Sequence, residues 1–153
     1  MTQVNSDSAV TLGTLHWEHA SWRDSFYPGD MPDEWRLTYY NTQFGCVFLE
    51  RACWTGVADD VLARWRDDTH DHFVFLLEGD AMTSPPAVLG DKALVLSRDD
   101  ARLMWFDRAT DLKRLRDWLL RVDVPGGRRY LLSRDADLGQ MERVSTLLEL
   151  LGC

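Results

Sequence analysis

The stretch from Leu12 to Trp54, LGTLHWEHASWRDSFYPGDMPDEWRLTYYNTQFGCVFLERACW, constrains the fold more than any other part of the chain. A short apolar run at Leu12–Trp17 reads as a strand and leads into an aromatic loop. The segment Pro32–Phe44 follows as a helix. Pro32 suits the first helical turn, where its missing N–H would have no partner. Trp35, Tyr39 and Tyr40 fall on one face of it by the i, i+4, i+5 rule and are expected to point inward. A second apolar run at Gly45–Glu50 reads as the next strand. Strand, helix and strand in that order form the opening βαβ unit of a parallel α/β fold.

The pattern continues. A helix is expected over Val57–Asp67, with Val57, Val61 and Trp65 on one stripe, and a third strand over His72–Leu77. Residues 81–92, rich in Ser, Pro and Gly, read as loop. In the segment ALVLSRDDARLMWFD, residues 93–107, two apolar runs flank a short link, too short for a usual parallel crossover, so a β-hairpin with one antiparallel strand is expected. Thr110 is placed to cap an amphipathic helix with Leu112, Leu115, Leu119 and Val122 inward, stopped by Pro125-Gly126-Gly127. A last strand at Arg129–Ser133 leads to Asp137, the expected cap of a final helix whose inward set is Met141, Val144, Leu148 and Leu151. Residues 1–11 read as a polar tail and 12–153 as a single domain.

Several of these residues carry a family likeness. Gly13-Thr14, Trp17, Trp22-Arg23, Phe26-Tyr27-Pro28, Tyr39-Tyr40, Phe44 and Val47 resemble the YecE-like family (domain of unknown function 72), which is similar to a TIM barrel. At the far end Tyr130-Leu131-Leu132, Asp135-Ala136-Asp137 and the leucine-rich last helix resemble the close of such a domain. A full eight-fold barrel takes about 250 residues, and this chain has 153. The resemblance therefore implies a shortened TIM-barrel-like βα fold, reduced in the middle, with five or six mostly parallel strands and one hairpin. The chain departs from the family pattern in the strands. Phe48 and Glu50 stand where the family's second strand carries a carboxylate and an asparagine, and Glu78 stands near the family's third-strand lysine. His19 replaces a tyrosine, and Ser133 and Arg134 replace asparagines. An inward carboxylate exchanged for phenylalanine loses a charge and gains apolar volume, so the ancestral chemistry is expected to be lost or rebuilt.

In parallel α/β folds reactive groups collect where strands end. Those positions here hold Trp17, Glu18 and His19; Glu50 and Arg51; Glu78 and Asp80; Asp107 and Arg108; and Arg134, Asp135 and Asp137. If the chain is an enzyme, Glu18, His19, Glu50 and Glu78 are its best candidate catalytic groups, arranged for acid–base work around a divalent ion. The simpler reading makes the acids helix caps and ion pairs, and no metal or cofactor is expected. His16 and His19, three apart, and His70 and His72, alternating before the third strand, are weaker metal-ligand pairs. Candidate binding residues are Trp17, Trp22, Phe26 and Tyr27 of the aromatic loop, with Arg51, Asp107 and Arg134. The loop aromatics fit either a contact surface or a plug in the barrel mouth. No G-x-S-x-G elbow, Walker loop, Rossmann fingerprint or H-E-x-x-H is present.

A net charge of −8 without a basic run argues against nucleic-acid partners, and no segment is apolar for long enough to span a bilayer. Cys46, Cys53 and Cys153 match no metal or redox spacing, which fits a reduced, cytoplasmic protein. Cys46 and Cys53 read as small buried apolar side chains and Cys153 as exposed. A reduced barrel leaves strand edges uncovered, so a homodimer is expected. The leading expectation is a non-catalytic, self-associating interaction or regulatory module with a protein or small-molecule partner at the aromatic loop. The alternative is a metal-dependent hydrolase or lyase acting on a phosphorylated or sugar-like small molecule.

Overall fold

A computed structural model of the chain describes residues 10–121 and 128–153. Six parallel strands form one sheet: β1 (Val10–Leu15), β2 (Cys46–Leu49), β3 (Val74–Glu78), β4 (Ala93–Leu96), β5 (Leu103–Phe106) and β6 (Arg129–Ser133). Their spatial order is β4-β3-β2-β1-β6-β5. That is the chain order of a barrel written around a circle, with a single break between β4 and β5. Helices follow the strands: α1 (Arg36–Gln43), α2 (Arg51–Trp54), α3 (Asp59–Asp67), α4 (Leu112–Leu119) and α5 (Leu138–Leu151).

The sheet curls, and ring contacts report how far. Strands β2 and β5 are three positions apart in the sheet, about 14 Å if it were flat. Yet the rings of Phe48 on β2 and Trp105 on β5 meet edge to face at 5.1 Å. Period-two alternation then divides the strand residues between two apolar layers. The inner layer packs Cys46, Phe48, Leu76, Leu96, Leu103, Tyr130 and Leu132 inside the curl. The outer layer places Val47, Leu49, Phe75, Leu77, Phe106 and Leu131 against the helices. Burial on both faces explains why these strands read as unbroken apolar runs.

Local chemistry accounts for the joins. Gly13 lies where β1 and β2 approach: a Cβ there would stand 2.2 Å from the Cys46 carbonyl oxygen. Beside it the buried Tyr40 hydroxyl accepts the Thr14 N–H at 2.9 Å and donates to the Cys46 carbonyl at 2.7 Å, tying α1 to both strands. Asp137 caps α5 by accepting the Gln140 N–H at 2.9 Å, as expected.

Several expectations are corrected. No hairpin forms over 93–107: β4 pairs only with β3 and β5 only with β6, both parallel, and they lie at opposite edges. The curl brings those edges near enough for a short link to join them. Trp35 is 60% exposed rather than inward. The helix opens with a 3₁₀ turn at Asp33–Trp35, whose three residues per turn shift the phase, so Leu37 and Tyr40 take the buried face. Asp111, not Thr110, caps α4 by accepting the Lys113 N–H. Thr110 instead accepts the Asp107 N–H. Val10 and Thr11, which the sequence assigns to the tail, belong to strand β1. Cys153 is half-buried against the outer layer, not exposed. Residues 1–9 of the tail, Val122 and the stop at Pro125-Gly126-Gly127 lie outside the described residues.

Candidate functional site

The inner face of each strand runs up to the carboxyl rim of the sheet. Two positions beyond the inner residues Phe48, Leu76, Leu96, Trp105 and Leu132 stand Glu50, Glu78, Arg98, Asp107 and Arg134. Alternation therefore ends the apolar inner layer in a ring of charge. Glu50 and Glu78 come together there through a third residue, Arg98, that the sequence did not single out. Its guanidinium lies 2.7 Å from Glu50 and 3.5 Å from Glu78. It also sits 5.7 Å from the centre of the Phe48 ring and 5.6 Å from that of Trp105. The Trp105 indole N–H donates to the Arg98 carbonyl at 2.8 Å. Arg98 thus roofs the inner layer while its one guanidinium bridges the two carboxylates.

The rest of the rim is paired in the same way. Arg134 contacts Asp107 at 3.1 Å, and Asp135 accepts the Arg108 N–H at 2.9 Å. The Arg51 N–H donates to Glu78 at 3.0 Å, and its side chain donates to Thr83. Two backbone or hydroxyl donors with a nearby arginine hold the Asp107 carboxyl below the usual carboxylate range, the Ala109 N–H contributing most. Such pairing engages the strand-end acids in ion pairs and backbone hydrogen bonds. Among the described residues no group of three or more His, Cys, Asp or Glu side chains is placed to hold a metal ion.

Glu18 and His19 do not join this ring. Glu18 pairs with Arg36 on the α1 side at 3.1 Å. His19 packs edge-on to Trp22 at 4.5 Å and donates from Nε2 to the His16 carbonyl. His16 is the residue that the sequence reading undervalued. It has a left-handed φ of 62°, which breaks the alternation at the end of β1, and its Nδ1 accepts the N–H groups of both Trp17 and Glu18. Those two donors fix the neutral tautomer with Nε2 protonated. Burial, then His19, pushes its pKa down, while Glu50 pulls it up. His70 and His72 lie before β3, at the opposite end of the sheet, where His70 Nδ1 accepts the His72 N–H.

The aromatic loop is interior. Trp22 is fully buried and donates from its indole to the Ala136 carbonyl at 2.8 Å. The Tyr27 hydroxyl donates to the Trp17 carbonyl at 2.6 Å. Phe26 stacks among Trp22, Tyr27, Tyr39 and Phe44. Trp17, 6% exposed, meets Trp65 of α3 edge-on. These rings fill the space between the sheet and the surrounding helices, on the outer side of the curl. The strand-end residues Arg51, Asp107 and Arg134 remain accessible to solvent.

The family model described as Protein of unknown function DUF72 matches residues 11–119. The match runs through the middle of the chain and stops before β6, so the C-terminal likeness lies outside it. No curated protein and no solved structure matches. The chain belongs to the DUF72 family, and its six-stranded curled sheet is a shortened relative of the eight-stranded barrel.

Proposed function

We propose that this DUF72 protein is a non-catalytic, self-associating interaction module. The observation that carries the reading is the position of Arg98. A catalytic rim needs a base or nucleophile free to meet substrate, whereas Glu50 and Glu78 share one guanidinium that also covers Phe48 and Trp105. The pocket space of a barrel is here occupied by apolar side chains.

Self-association is supported by the break in the sheet. Strands β4, ALVL, and β5, LMWF, are edge strands without a charge or proline of their own. Proteins ordinarily guard such edges, since the unpaired N–H and C=O groups recruit another strand. Leu94 and Trp105 at these edges are only half-buried. A second copy presenting the same seam would cover both edges in an isologous dimer. Three cysteines without disulfides fit a cytoplasmic setting, and an acidic surface disfavours nucleic acid.

The competing reading is a metal-dependent hydrolase or lyase acting on a phosphorylated or sugar-like molecule at Glu50 and Glu78. Thermal unfolding in millimolar Mg²⁺, Mn²⁺ and Zn²⁺ separates the two, because a ligand of the folded state raises the midpoint by mass action. The module reading expects no shift with any ion. A saturable rise that disappears in Glu50→Gln and Glu78→Gln would favour the enzyme.

A further inference from the structure

Away from the rim, a groove runs between α1 and α3. Its larger hollow, about 740 Å³, is walled by Met31, Trp35 and Tyr39 on the α1 side and by Arg64 and Asp68 on the α3 side. A smaller hollow of about 350 Å³ shares Glu34, Arg64 and Asp68 with it and adds Glu18 and Asp33. The larger volume falls in the range of ligand sites. Trp35 is one of the few large apolar side chains that the protein leaves exposed, at 60%.

The charges in this groove are unequal. Glu18 and Asp33 share the single guanidinium of Arg36, at 3.1 and 3.0 Å. Glu34 and Asp68 make no side-chain hydrogen bond or ion pair among the described residues. Arg64, one turn before Asp68, stays beyond ion-pair distance of it. Four carboxylates therefore face two guanidiniums, beside an open indole. Burial raises the Asp68 carboxyl, with Arg64 opposing, which is the condition of a carboxylate short of counter-charge. An indole face and two uncommitted carboxylates together select a cationic group.

We propose that the α1–α3 groove binds a Lys or Arg side chain presented by a peptide segment of a partner protein, with Trp35 as the stacking face and Glu34 and Asp68 as the counter-charges. The two hollows adjoin through Glu34, Arg64 and Asp68, which suits a chain lying across both better than a single small molecule. This reading does not depend on the rim or on the β4–β5 seam.

The test is fluorescence anisotropy with the full chain and a fluorescein-labelled decapeptide alternating arginine and alanine. The same peptide with glutamate in place of arginine, and spermidine as a competitor, complete the set. Saturable binding of the arginine peptide alone is expected. Glu34→Gln with Asp68→Asn should weaken it about tenfold or more, and Trp35→Ala by about threefold to tenfold. Arg64→Gln should tighten it. A control pair of exposed acids elsewhere, Asp117→Asn with Glu142→Gln, should leave it unchanged. All of these positions are exposed except the half-buried Asp68, and circular dichroism confirms folding of each variant. Equal weakening by the control pair would reduce the effect to net charge and overturn the site, as would a missing response to Trp35→Ala. Displacement by spermidine at the affinity of the peptide would overturn the peptide as occupant.

Discussion

Arg98 reaches back 48 residues to Glu50, placing its Nη2 atom 2.7 Å from the carboxylate. The pair joins the link after β4 to the end of β2 across the mouth of the curl, and with Glu78 it seals the inner apolar layer beneath. The side chains are 44% and 50% exposed, and exposed ion pairs contribute little to stability. Arg98→Ala should therefore lower the unfolding free energy by only about 1–2 kcal/mol, most of it from the lost cover over Phe48 and Trp105. Urea denaturation measures this. A loss above about 4 kcal/mol would make Arg98 a core element rather than a roof.

Tyr40 should matter more than its single hydroxyl suggests. That oxygen serves the Thr14 N–H and the Cys46 carbonyl in a fully buried position. Tyr40→Phe strands both groups without changing the packing volume, at about 1–3 kcal/mol. An unchanged urea midpoint would mean that water or another donor takes its place.

Trp22→Ala should cost about 3–5 kcal/mol, the range for a large buried aromatic. Trp22→Phe keeps much of the volume and should cost less, with the loss of the Ala136 hydrogen bond remaining. Both variants are read by urea unfolding. A folded Trp22→Ala protein of near-normal stability would put the loop aromatics outside the core.

Much of this arrangement was legible in the sequence. Apolar runs such as Cys46–Leu49 and Tyr130–Leu132 announced strands, and Asp137 announced its helix. The strand-end acids were legible as residue types but not as partners. The pairing of Glu50 with Glu78 depends on Arg98, which lies in a link that sequence spacing assigned to a hairpin. That assignment failed because local spacing cannot register the curl of a sheet, and only the curl brings β4 and β5 near each other. Trp35 failed for a local reason, the 3₁₀ turn that resets the phase of α1. The value of His16 was hidden because a histidine with positive φ has no sequence mark.

Acidification should destabilise the fold from near-neutral pH. The folded-state pKa of His16 lies below the ordinary 6.5, through burial first and then His19. His19 and His70 shift the same way, also chiefly through burial. Above 6.5 these rings are neutral in both states and their contribution is complete. As pH falls from 6.5 toward the lower folded values, the unfolded chain takes protons that the folded one refuses, and stability declines. Urea midpoints between pH 7.5 and 5.5 should fall with pH. His16→Asn, which tolerates the left-handed backbone, should flatten the decline. A midpoint that rises on acidification would contradict the neutral tautomer.

Sedimentation equilibrium across a hundredfold range of concentration addresses the proposed role itself. A module that closes its bare β4–β5 seam with a second copy should show a mass near 35 kDa, twice the 17.7 kDa of one chain, falling toward the single-chain value on dilution. A mass of 17.7 kDa at every concentration would contradict it.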